Sequence, residues 1–344
     1  MSYRLAVRFG ACACLVLGAL FLTPTARVQQ QGDSLLTRIA SATSTSPVSS
    51  GDSAAADDDD EQLIVNTDLI SFSVTVTDKS GQHVSGLPQT AFTIFDEKKP
   101  QEISFFGEDD SPISVGIVFD LTGSMTEEKV RRAREALAHF METSHKDDEY
   151  YLITMRDGRA FLSLDRTRDH QTVIGKLTHA SPHGATALYD ACYLGLNKVL
   201  RGMLPRRALL LISDGQDNNS RYTFEELDRL ASESDVTIYS ISVAEKGNED
   251  LTLYGDEVLT DIATRTGGKF FRPGKAEEMH DVFERIALEL RHRYAIGYRP
   301  TNFTTDGKWR RLKVKIDPPP GSPRLFLRYR SGYYARATSR PARY

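Results

Sequence analysis

Two stretches of the chain are apolar without interruption and end on an acid. Residues 115–119 read Val-Gly-Ile-Val-Phe and are followed by Asp120; residues 208–212 read Ala-Leu-Leu-Leu-Ile and are followed by Ser213, Asp214 and Gly215. Short apolar runs bounded by turn residues are expected as strands covered on both faces of a parallel sheet. After the first run, Val130, Ala133, Leu137, Phe140 and Ser144 recur at helical spacing, with Lys129, Arg131, Arg132 and Glu135 on the other side. Ser124-Met-Thr-Glu127 fits a capping box, which predicts that Ser124 caps this helix.

The alternation continues along the chain. Strands are expected at 151–155, 160–164, 236–243 and 269–272, and helices at 168–177, 187–200, 224–232, 253–266 and 276–292. The fold class predicted for residues 111–290 is α/β, a doubly wound, mostly parallel sheet. The flanks have a different period. Ile70, Phe72, Val74 and Val76 alternate with Ser71, Ser73, Thr75 and Thr77, and residues 92–95, 102–106, 294–298, 312–316 and 325–329 are further short candidate strands. Lys313, Lys315, Arg328 and Arg330 are expected to face water. Neither flank holds enough strands for a core alone. Residues 63–110 and 291–335 are therefore expected to pair into one small discontinuous β-sandwich.

Open α/β sheets bind ligands outside the carboxyl ends of their strands, where Asp120 and Asp214 both fall. Thr122 and Ser124 lie in the loop after Asp120, and Gly184-Ala-Thr186 enters another predicted helix with a further hydroxyl. Carboxylates and hydroxyls are donors for a hard cation such as Mg²⁺, which keeps several waters and takes only one or two carboxylates. Competing chemistries fit less well. An aspartyl nucleophile of the haloacid dehalogenase type wants a second Asp two residues on, where Thr122 stands. No Gly-x-x-x-x-Gly-Lys-Ser/Thr phosphate cradle occurs, and Ser124 lacks a Gly-x-Ser-x-Gly elbow. Cap and turn chemistry accounts for Ser124 alone but not for an ordered set at matching element ends. His179 and His183 are separated by Pro182, which breaks a helical pair. Asp217 is assigned to loop capping. Cys192, on one helical face with Leu188, Leu196 and Val199, is assigned to packing.

The ordered set Asp120, Thr122, Ser124, Thr186 and Asp214 resembles the metal-ion-dependent adhesion site (MIDAS) of von Willebrand factor A (VWA) domains. That pattern is Asp-x-Ser-x-Ser, a distant Thr and a distant Asp; Thr122 replaces the first Ser and keeps its hydroxyl. The resemblance implies a Rossmann-like VWA fold and a bound Mg²⁺, or Mn²⁺ or Ca²⁺, with no catalytic residue. It implies an adhesion or scaffold module whose metal captures an Asp or Glu carboxylate of a protein partner. Val74-Thr-Val-Thr-Asp-Lys-Ser-Gly81, Gly86-Leu-Pro-Gln-Thr-Ala-Phe-Thr-Ile-Phe-Asp-Glu97, Tyr294-Ala-Ile-Gly-Tyr-Arg-Pro300, Trp309-Arg-Arg-Leu-Lys-Val-Lys-Ile316 and Gly332-Tyr-Tyr-Ala335 also resemble an exported VWA-related family known mainly from acidobacteria. An envelope structural or assembly protein with a purely structural metal is the alternative, and a metal-dependent hydrolase a further one. The missing base and nucleophile elbow count against the hydrolase.

The ends and the charge balance bear on where such a module works. Arg4 and Arg8 precede an apolar stretch at 11–22, shorter than the roughly 20 residues of a membrane span. With small residues at Thr25-Ala26, residues 1–26 are expected to be a signal peptide, a retained anchor being the alternative. The chain is then exported (periplasmic, outer-envelope or secreted), with no transmembrane helix after signal removal. Residues 27–62, rich in Ser, Thr, Ala and Asp, are expected to be a disordered acidic linker, and residues 336–344 a tail. Beyond the signal only Cys192 remains, so no intramolecular disulfide is expected. Residues 63–290 carry 25 Lys+Arg against 38 Asp+Glu, and residues 291–344 carry 14 against 2. Either the basic segment lies against an acidic body, or it offers a surface to envelope polyanions. Nucleic acid is not expected as the partner of an exported chain.

Overall fold

The structure is a computed structural model and describes residues 69–335 apart from 245–248, 303, 319 and 322. The expected signal peptide, acidic linker and tail lie outside the described residues. The chain opens with strands β1 (Ile70–Thr77), β2 (Phe92–Asp96), β3 (Lys99–Gln101), β4 (Ile103–Asp109) and β5 (Ile113–Asp120). Helix α1 (Glu127–Thr143), β6 (Glu149–Arg156), β7 (Arg159–Thr167), α2 (His170–Thr178), α3 (Leu188–Leu200) and β8 (Arg206–Ser213) follow. Next come α4 (Phe224–Glu233), β9 (Thr237–Ser242), α5 (Glu249–Arg265), β10 (Phe270–Phe271) and α6 (Ala276–Arg291). The chain closes with β11 (Arg293–Tyr298), β12 (Trp309–Ile316), β13 (Phe326–Arg328) and β14 (Gly332–Tyr334).

The two unbroken apolar runs are neighbours at the centre of a sheet ordered β10-β9-β8-β5-β6-β7. Its pairings are parallel except that of β6 with β7. The register sets Val115 opposite Ala208 and Phe119 opposite Ile212. Every residue of β5 is buried, because alternate side chains meet helices on opposite faces. Ile117, Phe119, Leu210 and Ile212 pack with Leu137 and Phe140 of α1, Val173 of α2 and Phe283 of α6. Val118, Ile153, Leu209 and Leu211 pack with Leu188 and Leu196 of α3, Leu227 of α4 and Leu259 of α5. Each such fully buried aliphatic side chain contributes about 1.5–3 kcal/mol. Cys192 sits wholly buried in the second layer, in keeping with packing. The predicted doubly wound α/β fold is what forms. One local expectation fails. The cap of α1 is Thr126, whose hydroxyl accepts from the Lys129 N–H; Ser124 lies two residues earlier with its Oγ turned toward Thr122.

Both chain ends contribute to each of two four-stranded antiparallel sheets, β13-β1-β11-β4 and β14-β12-β2-β3. Val74 pairs with Tyr294 in the first and Ile94 with Val314 in the second. Their inner faces share a core of Phe72, Val74, Phe92, Ile94, Tyr294, Ile296, Leu312 and Val314. Buried Asp96 accepts a hydrogen bond from the hydroxyls of Tyr298 and Tyr333, each at 2.8 Å, and so ties one sheet to the other. The flanking sandwich is therefore built from both ends, as the alternation predicts. Lys313 and Lys315 face water as expected, but Arg328 and Arg330 do not. Arg328 meets Glu289 of α6, and Arg330 lies 3.7 Å from Asp235. The side of β13 that alternation marks as outer meets α6, where Arg328 is drawn onto buried Glu289, while Arg330 meets the exposed Asp235. No helix among the described residues is long and apolar enough to cross a membrane.

Candidate metal centre

Because β5 and β8 are paired, their carboxyl ends bring Asp120 beside Ser213 and Asp214. Asp120 is wholly buried. Its Oδ1 accepts from the Thr122 N–H at 2.9 Å and the Thr122 hydroxyl at 2.7 Å, and its Oδ2 from the Ser213 hydroxyl at 2.7 Å. The Thr186 hydroxyl donates to Thr122 Oγ1 at 3.0 Å, and Ser124 Oγ lies 3.4 Å from the same atom. Asp120, Thr122, Ser124 and Thr186 thus form one connected cluster of oxygens. Asp214 is 4% exposed, and its carboxylate takes the Gln216 N–H at 3.3 Å.

Three loops hold the cluster. The loop after β5 is pinned to the one before α3 by hydrogen bonds from the Gly123 N–H to the Gly184 carbonyl at 2.9 Å and from the His183 N–H to the Leu121 carbonyl at 3.0 Å. Thr186 is fixed from the third loop: its N–H donates to Asn218 Oδ1 at 2.9 Å, and its carbonyl accepts from the N–H groups of Asn218 and Asn219. Asp217 Oδ1 takes the Leu188 N–H at 2.7 Å. It caps α3 from another loop and stays out of the oxygen cluster, as assigned. Gly215 has φ +81°, and a Cβ there would collide with the Gly255 carbonyl. Only glycine lets α5 press on the Asp214 turn. His179 ends α2, while His183 Nε2 lies 3.1 Å from Asp157, so the two histidines make no joint site.

Burial pushes the Asp120 carboxyl up to about 6, with the Asp214 charge adding to it and the Thr122 and Ser213 hydrogen bonds opposing. Neither acid pairs with a lysine or arginine among the described residues. Lys129 approaches the rim instead, donating from Nζ to the Ser124 carbonyl at 3.0 Å. Among the described residues no group of three or more His, Cys, Asp or Glu could hold a metal ion. The donors gathered here are two carboxylates and three hydroxyls, a set that fits a hard cation with room for water. Sequence reasoning missed Ser213, which holds the second oxygen of Asp120, and Asn218, which holds Thr186. A serine before Asp-Gly carries the first signal weakly; the second appears only once two loops meet.

A doubly wound sheet with an acid-and-hydroxyl cluster at its strand ends defines the VWA-type class of fold. The chain matches the von Willebrand factor type A domain over residues 114–285, half of its length, and belongs to that family. Among solved structures it is similar to a conserved hypothetical protein, BatB, of Bacteroides thetaiotaomicron, at 18% identity over 52% of this chain and 98% of that one, with a TM-score of 0.41. It is also similar to the vWF domain of the type V pili tip protein Mfa5 of Porphyromonas gingivalis, at 14% identity over 52% and 94%, TM-score 0.43. A third is proximal thread matrix protein 1 of the mussel byssus, described with a zinc-occupied MIDAS motif, at 17% identity over 57% and 49%, TM-score 0.45. No curated protein matches the chain at a significant level.

Proposed function

We propose that this VWA protein is an exported, divalent-metal-dependent protein-binding module of the cell envelope or its surroundings. The observation that carries this reading is the wholly buried Asp120 carboxylate, held by the Thr122 and Ser213 hydroxyls, with those of Ser124 and Thr186 gathered on Thr122 and no lysine or arginine paired to it among the described residues. A buried carboxylate without counter-charge costs several kcal/mol, and a bound cation offsets that cost. Asp120, Ser124 and Thr186, with Thr122 and Asp214 close by, would hold Mg²⁺, or Mn²⁺ or Ca²⁺ in its place. Bound there, the metal supplies an electrophilic centre for an oxygen ligand. Asp120 supplies charge, the three hydroxyls supply neutral oxygens, and Asp214 acts partly through water. The set therefore leaves positive charge uncompensated, which suits an Asp or Glu side chain of a protein partner. The Thr122 and Ser213 hydroxyls donate to Asp120 and fix it, and no histidine or lysine base is hydrogen-bonded to these hydroxyls among the described residues, which supports binding rather than catalysis. The reading as exported rests on the charged and apolar pattern of residues 1–26.

Calorimetry of the mature chain with Mg²⁺ and Mn²⁺ tests the site. Wild type should bind one ion and Asp120→Ala none, with circular dichroism unchanged; equal binding by both would sink the assignment. Capture from envelope extracts tests the partner. A protein held with Mg²⁺, released by chelator and not held by Asp120→Ala is expected, and retention in all three conditions would move recognition elsewhere.

A further inference from the structure

The basic residues of the C-terminal segment fall into two sets. Those turned toward the α/β domain are engaged. Arg293, 4% exposed, donates to the Thr237 hydroxyl at 2.8 Å and the Tyr239 hydroxyl at 2.5 Å, Arg328 meets Glu289, and Arg330 faces Asp235. This set is the basic segment lying on the α/β body, Arg328 and Arg330 on its acids and Arg293 on its hydroxyls. It does not account for the rest.

The second set points the other way. Leu312 and Val314 are the buried side of β12, so Arg311, Lys313 and Lys315, all exposed, stand in one row on its outer face, spaced about 7 Å apart by the strand repeat. None of the three is in an ion pair among the described residues. Lys315 lies instead with its ammonium 5.0 Å above the Phe95 ring, and Lys98 on the β2–β3 turn adds an exposed cation. The acids bordering the face include Glu97, whose Oε1 takes the Arg311 backbone N–H at 2.6 Å, Asp317 beyond the strand end, and Glu233 of α4, which lines one cavity with Tyr334. Pairing sets Trp309 opposite Tyr334 and Lys313 opposite Phe95, which puts these rings on the same face as the cations. Trp309 and Tyr334 meet edge to face with centroids 5.0 Å apart.

β12 pairs with β14 over Trp309–Arg311 and with β2 over Leu312–Ile316, and what its outer face offers is the row of side chains. An added peptide strand would pair backbone at the sheet's edge and would not account for a line of cations and rings on its face. The cations run in a line rather than scattering, and the rings are braced against one another or under Lys315 instead of standing free to enter a bilayer. A line of cations beside braced flat rings matches a chain with anions along its length and flat, weakly polar C–H faces between them. We propose that the outer face of the β14-β12-β2-β3 sheet binds a linear acidic polysaccharide, its carboxylates or sulfates on Arg311, Lys313 and Lys315 and its sugar rings against Trp309 and Tyr334.

The test uses the full mature chain at 0.15 M salt, with polygalacturonate and heparin as probes. Neutral dextran, single-stranded poly(dT) and phosphatidylglycerol vesicles are the comparison arms. Binding of the two acidic polysaccharides is expected, weakening as salt screens the row. Arg311→Gln/Lys313→Gln/Lys315→Gln should lose at least tenfold in affinity with an unchanged thermal transition. Trp309→Ala should lose several-fold without altering the salt dependence. Asp120→Ala and chelated protein should bind as wild type does, which separates this face from the metal centre. The proposal is overturned if the triple variant binds polygalacturonate normally. Binding lost with chelator overturns it too, as does poly(dT) or vesicle binding as tight as that of the polysaccharides.

Discussion

Thr122 is the hub of the oxygen cluster: its hydroxyl donates to Asp120 and accepts from Thr186. Thr122→Ser keeps that oxygen and should bind Mg²⁺ nearly as wild type does. Thr122→Val keeps the shape and removes the oxygen. It should weaken Mg²⁺ binding about tenfold or more and lower stability by about 1 kcal/mol through the lost buried hydrogen bond, both readable by calorimetry and urea melts. The residues of this cluster were legible because they lie, in a fixed order, where recognisable elements end or begin. Ser124 shows the limit of that reading. Ser124 and Thr126 both offer a hydroxyl ahead of the same helix, and local sequence does not say which one caps. The structure gives the cap to Thr126 because Ser124 turns to Thr122. A pH prediction belongs at this scale as well. His83 is half-buried against His292, ring centroids 5.3 Å apart, with Nδ1 unpartnered. Burial, and then the neighbouring His292, hold it down to about 4. The unfolded chain protonates near 6.5, so between pH 6.5 and 4 it binds a proton that the folded chain does not. Stability should fall as pH drops through that window and level off below it. His83→Gln should show a shallower fall in urea melts at pH 7.5, 6 and 5; parallel curves for the two proteins would refute it.

The central strands were predictable because unbroken apolar runs have no other place to go. Some elements at the margins were harder to read, in existence or in facing. β3 and β14, three residues each, are too short to carry a period and were not expected as strands, whereas β10 falls within the strand expected at 269–272. β13 carries one that misleads, since its outer side meets α6 and buries charge. We propose that residues 63–110 and 291–335 form one domain around the α/β body at 111–290. Ile94 faces Val314 across the β2–β12 ladder, and both tyrosines on Asp96 come from the far end of the chain. Truncation after α6 should then leave β1 and β4 without partners and β2 with β3 alone. Hydrogen exchange across Ile70–Thr77 should rise to that of unprotected amides. Protection equal to that of the full chain would show that the N-terminal strands stand alone.

At the scale of the molecule, the excess of base in the last part of the chain resolves into inward and outward components. Arg328 and Arg330 join the sandwich to acid on the α/β body and Arg293 joins it to the Thr237 and Tyr239 hydroxyls, while the β12 row does neither. Composition alone could not divide them, because facing depends on what covers each side. The sandwich also has a consequence in time. Leu87 waits for the Tyr294 hydroxyl, 207 residues later, and Asp96 for Tyr333, 237 residues later. At ribosomal rates of about 5–20 residues per second the early strands would stand unpaired for roughly 10–50 s, their apolar faces open to other chains. Synthesis therefore runs ahead of closure, and the α/β body can be complete while its first strands are still adhesive. Ribosome-bound chains arrested with α6 emerged should be cut by protease within β1–β4 and spared within β5–β9. Release of the full chain should abolish the cuts. Equal resistance at both stages would mean that the early strands find shelter before their partners exist.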